Sequence, residues 1–386
     1  MMANTTTSLE LPKHLVTNIF SKVKGHSSLA RLCGQTPIPF AGNQVMVFSM
    51  DGEVEIVGEG GNKSPGDAGF TPVTISPIKF VYQHRITDEF VRMSDEERLP
   101  YLEAFGAGFA AKMARGLDIA AIHGLNPKTK AVADSVYSKS FDAVVTNVVS
   151  YSSSAPDDKL DAAVALIHAG EAEISGMALA PAFGADMAKV KVNGVVQFPE
   201  FRFGNCPASF SGMGVDMNTT VSYGPLVNDK LLVGDFQQAF RWGYCENIPL
   251  EVIEYGDPDG LGDLKRKNQI VLRSECYIGW GVLDPASFAL IRDVAALTVA
   301  SAAGTNVGDT KITVTETKGT GNTWKYYVGN TAEAVSYGQD VSGGTTWDGS
   351  ADITAATNKI LTLVEADSAG KALRVGTVKV TAKAGG

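Results

Sequence analysis

Five histidines and four cysteines are the side chains in this sequence best suited to hold a metal or carry a covalent step. His14, His26, His84, His123 and His168 have no cysteine or second histidine at ligand spacing, so they read as surface or capping residues. Cys33, Cys206, Cys245 and Cys276 are scattered, with neither metal nor redox spacing. They read as buried, reduced, small apolar side chains, which fits folding inside a cell. Asp257, Asp259 and Asp263 could offer oxygens to a hard cation, but the loop lacks the spacing and the bidentate glutamate of a calcium hand and reads as a solvated turn. The glycine-rich run GEGGNKSPG at 58–66 could cradle a phosphate only if it opened a helix, and it lies between strand patterns instead. Asn62-Lys63-Ser64 matches a glycosylation sequon, yet nothing places the chain in a secretory pathway. No nucleophile elbow, Walker loop or zinc-protease motif occurs. Trp242, Tyr244, Tyr277 and Trp280 share two strand patterns and read as sheet packing rather than a ligand cage. No catalytic, cofactor-binding or metal residue is therefore assigned, and the chain reads as a structural protein with extended parts.

The bulk properties agree. The 386 residues suffice for two or more domains, and 44% hydrophobic with 19% charged content is that of an ordinary globular protein. A net charge of -9 argues against a surface built to grip nucleic acid, because phosphate binding needs clustered Lys and Arg. The one basic cluster, LKRK at 264–267, follows directly on three aspartates. No apolar run is long enough for a membrane helix, and the N-terminus lacks the basic and apolar regions of a secretory signal.

The elements that position these residues follow from periodicity. Residues 1–40 read as an arm, with a short helix presenting Leu15, Ile19 and Val23 on one face. A long hairpin follows. Val45 and Val47, then Val54 and Ile56, alternate on the outgoing strand; Val73 and Ile75 alternate on the return. Beyond Ser76-Pro77 the apolar parity flips to Ile78, Phe80, Tyr82 and Ile86, which predicts a bend and two different packing partners. Ser94 with Glu97 forms a capping box, and Pro100 predicts a kink or restart. A long helix then carries Leu102, Phe105, Phe109, Met113, Leu117 and Ala121 on one stripe and stops at Gly124. A second amphipathic helix turns Leu160, Val164 and Ile167 inward, and GMALA is a short buried strand ahead of a helix that starts at Pro181. Two long strand patterns, AFRWGYCENIPLEVIEY and QIVLRSECYIGWGVLDPASFALI, close this region. After residue 293 the composition turns to Thr, Gly and Val, with eight Lys/Arg and eight Asp/Glu. That module reads as short strands, a small β domain with an immunoglobulin-like or similar sandwich as the expected form.

This order of parts resembles the Hong Kong 97-like fold of tailed-phage major capsid proteins. MALAPAFGADMAKVKVNGVVQFPEF looks like the axial domain of that fold, and LLVGDFQQAFRWGYCENIPLEVIEY is similar to the Gly-Asp-Phe strand that re-enters its peripheral domain. NQIVLRSECYIGWGVLDPASFALI looks like that domain's last strand. The resemblance covers about residues 10–293 and implies an α+β class. Its implied layout is an arm at 1–40, an extended loop with flanking strands at 41–90 and a peripheral domain with a spine helix at 91–135. An axial domain at 136–238, peripheral closing strands at 239–293 and an added C-terminal β domain at 294–386 complete it.

The resemblance further implies a subunit that assembles with itself into hexamers and pentamers of an icosahedral head shell, in the bacterial host cytoplasm, around DNA held without sequence-specific binding. Separate scaffold, portal and decoration proteins are the implied partners, and no membrane is involved. A two-stranded hairpin is marginal alone, so the next subunit is expected to supply its core through Val54, Ile56, Lys63, Phe70, Val73 and Ile75, with Leu15 and Ile19 of the arm as further inter-subunit contacts. Lys63, the lone lysine at the tip, is the position implied for the covalent inter-subunit bond some members form, although no matched asparagine or glutamate is apparent. The outer module is implied in contacts with a host surface or glycans, or in reinforcing the shell. Two other readings compete: an encapsulin-like nanocompartment shell of the same fold, and a surface-binding protein acting through its β domain.

Overall fold

The computed structural model describes residues 27–92, 95–224, 227–245 and 250–385. Leu15, Ile19 and Ser94 of the capping box lie outside them. The chain divides into two compact units, one of residues up to Val144 with Asp235–Pro285, the other of Val145–Gly234 with the chain from Ala286 onward.

The first unit is organised by one long strand, Gln269–Val282. On one edge it pairs with Ile78–Thr87, antiparallel, from Ile78 opposite Ile278 to Thr87 opposite Gln269. Its other edge takes Leu250–Ile253 and Phe240–Tyr244 in succession. Alternation gives this sheet two faces. On one face Ile270, Leu272, Phe80, Tyr82 and Ile86 turn toward the helix Asp95–His123, where Tyr82 and His84 lie near Phe105 and Phe80 reaches Gly116. This is the side-chain set the parity flip at Pro77 predicts. The helix runs 29 residues with Pro100 inside it, so the expected restart does not occur. Its stripe is buried at Leu102, Phe109, Met113, Leu117 and Ala121, and it ends at Gly124, whose φ of 64° is the left-handed stop.

Trp242 and Trp280 are directly opposed in register and each 1% exposed, which makes them sheet core as expected. Trp242 Nε1 donates to the Cys33 carbonyl at 3.0 Å. Cys33 and Cys276 are buried, Cys206 and Cys245 are half-buried, and none of the four forms a disulfide. His123, expected as a surface or capping residue, is buried, with Nδ1 2.8 Å from Asp142.

The described part of the arm packs on its own chain. A short helix, Ser28–Leu32, is capped twice over: Ser27 Oγ accepts from the Ala30 amide, and buried Asp118 of the long helix accepts from the Ser28 amide at 2.9 Å. A carboxylate at a helix start satisfies amides that have no partner within the helix. Thr36 and Ile38 then donate backbone hydrogen bonds to Trp242 and Tyr244.

In the second unit a mixed six-stranded sheet runs in the order Val148–Ser150, Phe288–Asp293, Asn228–Gly234, Gly176–Leu179, Met213–Met217, Ser209–Phe210. The helix Pro156–Ala169 covers it with Leu160, Ala163 and Ile167 against Met177, Leu179, Leu231, Val233, Ala289 and Ile291. Asn193 and Gly194, both at positive φ, make the expected turn between Lys191–Val192 and Val195–Val196. The run expected as a single closing strand is two. It breaks at a turn through Pro285–Ser287, where proline has no amide for the ladder, and Phe288–Asp293 joins this second sheet. Residues 136–144 and 235–238, expected in the axial domain, fall in the first unit.

The C-terminal module is two packed sheets. One holds Val299–Ala303, Asp309–Val314 and Ile353–Thr354; the other holds Ala295–Ala296, Ala372–Lys379, Ile360–Ala366, Thr323–Gly329 and Thr345–Trp347. Counted along the chain, this is the A-B-E against G-F-C-C′ order of an immunoglobulin-like sandwich. Trp324, Trp347, Ile312, Leu361 and Leu363 fill the space between the sheets. A buried ion pair, Glu365 with Arg374, spans adjacent strands, and Glu365 also accepts from Gly319 N at 2.8 Å and Asn322 Nδ2 at 2.6 Å.

Candidate assembly surface

Among the described residues of the first unit, the extended hairpin leaves a row of large apolar side chains without a covering layer. Asn43–Asp51 and Asp67–Ile75 pair in unbroken register from Asn43 opposite Ile75 to Asp51 opposite Asp67. That register sorts the side chains. Val45, Val73 and Ile75 lie on one face and Met46, Phe48, Met50, Phe70 and Pro72 on the other.

The first face is anchored at its root. Gly279 and Gly281 of the long strand leave a slot with no side chains, and a Cβ at either would sit 3.0 Å from Ile75. Ile75 is 2% exposed and Val73 is half-buried, both against their own chain. These two, expected to face a neighbouring subunit, instead fix the hairpin to its own sheet. Strand alternation says which residues share a face but not which face is covered.

The second face is open. Phe48 and Phe70 meet across the strands with their rings tilted and centroids 5.0 Å apart, and remain 52% and 66% exposed, with Met46 and Met50 also exposed beside them. A contiguous apolar stripe left to water marks an interaction surface. Phe70 was expected here. Met46, Phe48 and Met50 were missed, although the run Val45-Met46-Val47-Phe48 is apolar at every position, the signature of a strand covered on both faces.

Beyond Asp51 the strand ends, and 53–66 form a loop rather than the continued ladder expected from Val54 and Ile56. Continuing the register would pair Gly52 with Gly66, Glu53 with Pro65 and Val57 with Gly61, and these glycines and the proline support no ladder. Val54 and Ile56 are nonetheless almost fully exposed, and Lys63 is exposed with them. The loop has some order of its own. Gly61 N donates to Gly58 O, and Glu55 accepts from the Ser64 amide at 3.0 Å, which holds its carboxyl below the usual range.

At the other end of the same sheet, the aspartate loop is no simple solvated turn. Arg85 donates to both carboxylate oxygens of Asp259, to Asp257, to the Gly262 carbonyl and to Gln269 Oε1. Its guanidinium holds the Asp259 carboxyl down at about 2. Asp263 accepts from the Arg266 amide at 2.9 Å.

Against known proteins, the phage capsid family model matches residues 9–293, and the S-layer protein SbsC C-terminal domain model matches residues 302–383. No curated protein matches. Among solved structures, a chain from Mycobacterium phage Ogopogo is 35% identical, with 69% of this chain and 92% of that one covered at a TM-score of 0.61. A chain from Gordonia phage Cozz is 24% identical over 69% and 86%, TM-score 0.58, and one from Mycobacterium phage Bobi is 15% identical over 69% and 90%, TM-score 0.53. The latter two support the fold alone. The matched span holds the long helix, both closing strands and the open-faced hairpin, and on that span this protein belongs to the phage capsid family.

Proposed function

We propose that this major capsid protein closes its shell by laying the open hairpin face of each subunit across the next. The observation that carries the reading is the two-faced hairpin, fixed at its root by Ile75 in a glycine slot and bare along Phe48, Phe70, Met46 and Met50. A hairpin of this kind gains its stability from whatever covers it. The loop glycines let the tip follow the changing angles between subunits of a closed shell. The head encloses DNA, and the acidic chain suits a container that does not grip it. Assembly takes place in the host cytoplasm with separate scaffold and portal proteins, and the role is structural, without catalysis. The sandwich module, similar to an S-layer domain, is carried on the outer surface of the shell.

The test is negative-stain electron microscopy and light scattering of the purified chain, alone and with Gly58–Gly69 deleted. Closed shells or ring-shaped capsomers are expected from the full chain, and only soluble subunits or small oligomers from the deletion. Normal shells from the deleted chain would refute the role given to the hairpin.

A further inference from the structure

The hairpin tip and the loop at 254–268 have opposite chemistry. Residues 53–67 carry Glu53, Glu55, Glu59 and Asp67 against a single lysine, with Val54 and Ile56 bare between the acids. The loop ends in Lys265-Arg266-Lys267, the only three consecutive basic residues in the sequence, and all three are exposed. Its own acids are largely accounted for: Asp257 and Asp259 by Arg85, Asp263 by the Arg266 amide, and Glu254 at 3.9 Å from Lys265. Beside the basic run stand two exposed apolar side chains, Tyr255 at 67% with Lys265 over its ring and Leu261 at 63%. The loop is also rigidly mounted. Leu264 is fully buried and donates to the Gly256 carbonyl, and Gln83 donates to the Pro258 carbonyl.

The two surfaces cannot meet within one chain. Ile78–Thr87 starts where the hairpin ends and finishes beside the loop, where Asp88 N donates to Asn268 O. Ile75 and Val73 lie along Gly279 and Gly281, so the hairpin continues away from the Gln269 end. At about 3.3 Å per residue, the strand and the hairpin together separate the tip from its own loop by roughly 60 Å.

Resting on the assembly reading above, we propose that the acidic tip of one copy docks on the basic loop 254–268 of the next, in a head-to-tail contact. Val54 and Ile56 meet Tyr255 and Leu261, and the three glutamates meet Lys265, Arg266 and Lys267. A contact between two different patches of the same chain repeats without self-pairing and closes into rings when the rotation allows.

The test is charge reversal with complementation. One variant carries Glu53→Lys, Glu55→Lys and Glu59→Lys; the other carries Lys265→Glu, Arg266→Glu and Lys267→Glu. Each alone places like charges together and should raise the concentration needed for assembly at least about a hundredfold. Mixed one to one, the two should form six-membered rings at near wild-type concentration, because variants alternating around an even ring give every tip an opposite loop, whereas a five-membered ring keeps one like-charged contact. Recovery on mixing also shows that both variants are folded. Either variant assembling like the wild type, or a mixture of two variants with wild-type melting that fails to recover, overturns the docking proposal while leaving the capsid reading intact. A wild-type chain that stays monomeric at every concentration and salt strength overturns unaided self-assembly through the hairpin, and the docking contact with it.

Discussion

Replacing Phe48 and Phe70 together by threonine isolates the open hairpin face from the rest of the fold. Threonine keeps the strand preference of the site, so the hairpin itself should persist. Fully burying a phenylalanine is worth about 1.5–3 kcal/mol. With 52% and 66% of the two rings still exposed in the subunit, docking has about 1–2 kcal/mol left to gain from each. The pair thus contributes about 2–4 kcal/mol per docked hairpin, an upper figure because ordering the interface offsets part of it. In assembly this is a rise of about thirty- to a thousandfold in the threshold concentration. Static light scattering across a dilution series reads that threshold, and a thermal melt of the unassembled subunit supplies the control. The melt should move little, since neither ring is part of a buried core. An unchanged threshold would refute the interface. A melting temperature lowered by many degrees would show that the rings stabilise the subunit rather than the contact between subunits.

Other expectations follow from buried groups. Glu365→Ala strands Arg374 inside the module and should cost about 3–5 kcal/mol, read as an earlier melt of the Trp324 and Trp347 fluorescence; a loss under about 1 kcal/mol would show that water reaches the pair. Gly243→Ala places a Cβ 1.7 Å from the Thr36 carbonyl and should destabilise the first unit by about 2–3 kcal/mol, seen as exposure of residues 34–38 to hydrogen exchange. Burial pushes the Cys33 thiol up to about 11 and the Cys276 thiol up to about 12. Iodoacetamide at pH 8 should therefore alkylate Cys206 and Cys245 in the native protein and leave the other two unmodified until it unfolds, with mass spectrometry counting the adducts.

Which parts were legible in the sequence follows from the range of the interactions. The flip of apolar parity at Pro77 is local, and it marks the point where the chain leaves one sheet for another. The helix stripe from Leu102 to Ala121 and the Asn193-Gly194 turn are local as well. Asp118 as a cap for Ser28 was not legible, because the partners lie 90 residues apart and the sequence shows only an aspartate inside a helix. The same limit explains Ile75. Its alternation with Val73 was visible, but the glycine slot that receives it lies some two hundred residues further on and has no pattern of its own. Val54 and Ile56 kept a strand's rhythm past the strand's end, since rhythm on one side says nothing of a partner that cannot pair. The break at Pro285 was signalled by the proline itself and was overridden by the apolar run around it.

Gly243 and Gly279 are paired across the sheet, and Gly281 follows two residues on, so one face of the sheet has a lane without side chains. Two segments share that lane. Thr36 and Ile38 lie over Gly243 and Gly279, while Ile75 and Val73 lie over Gly279 and Gly281. The two extensions of the subunit are thereby geared at their bases: Ile38 and Ile75 crowd the same glycine, and neither can tilt far without pressing on the other. The segment through Thr36 and Ile38 and the root of the hairpin thus share a single joint, so a shift at the base of one is felt by the other.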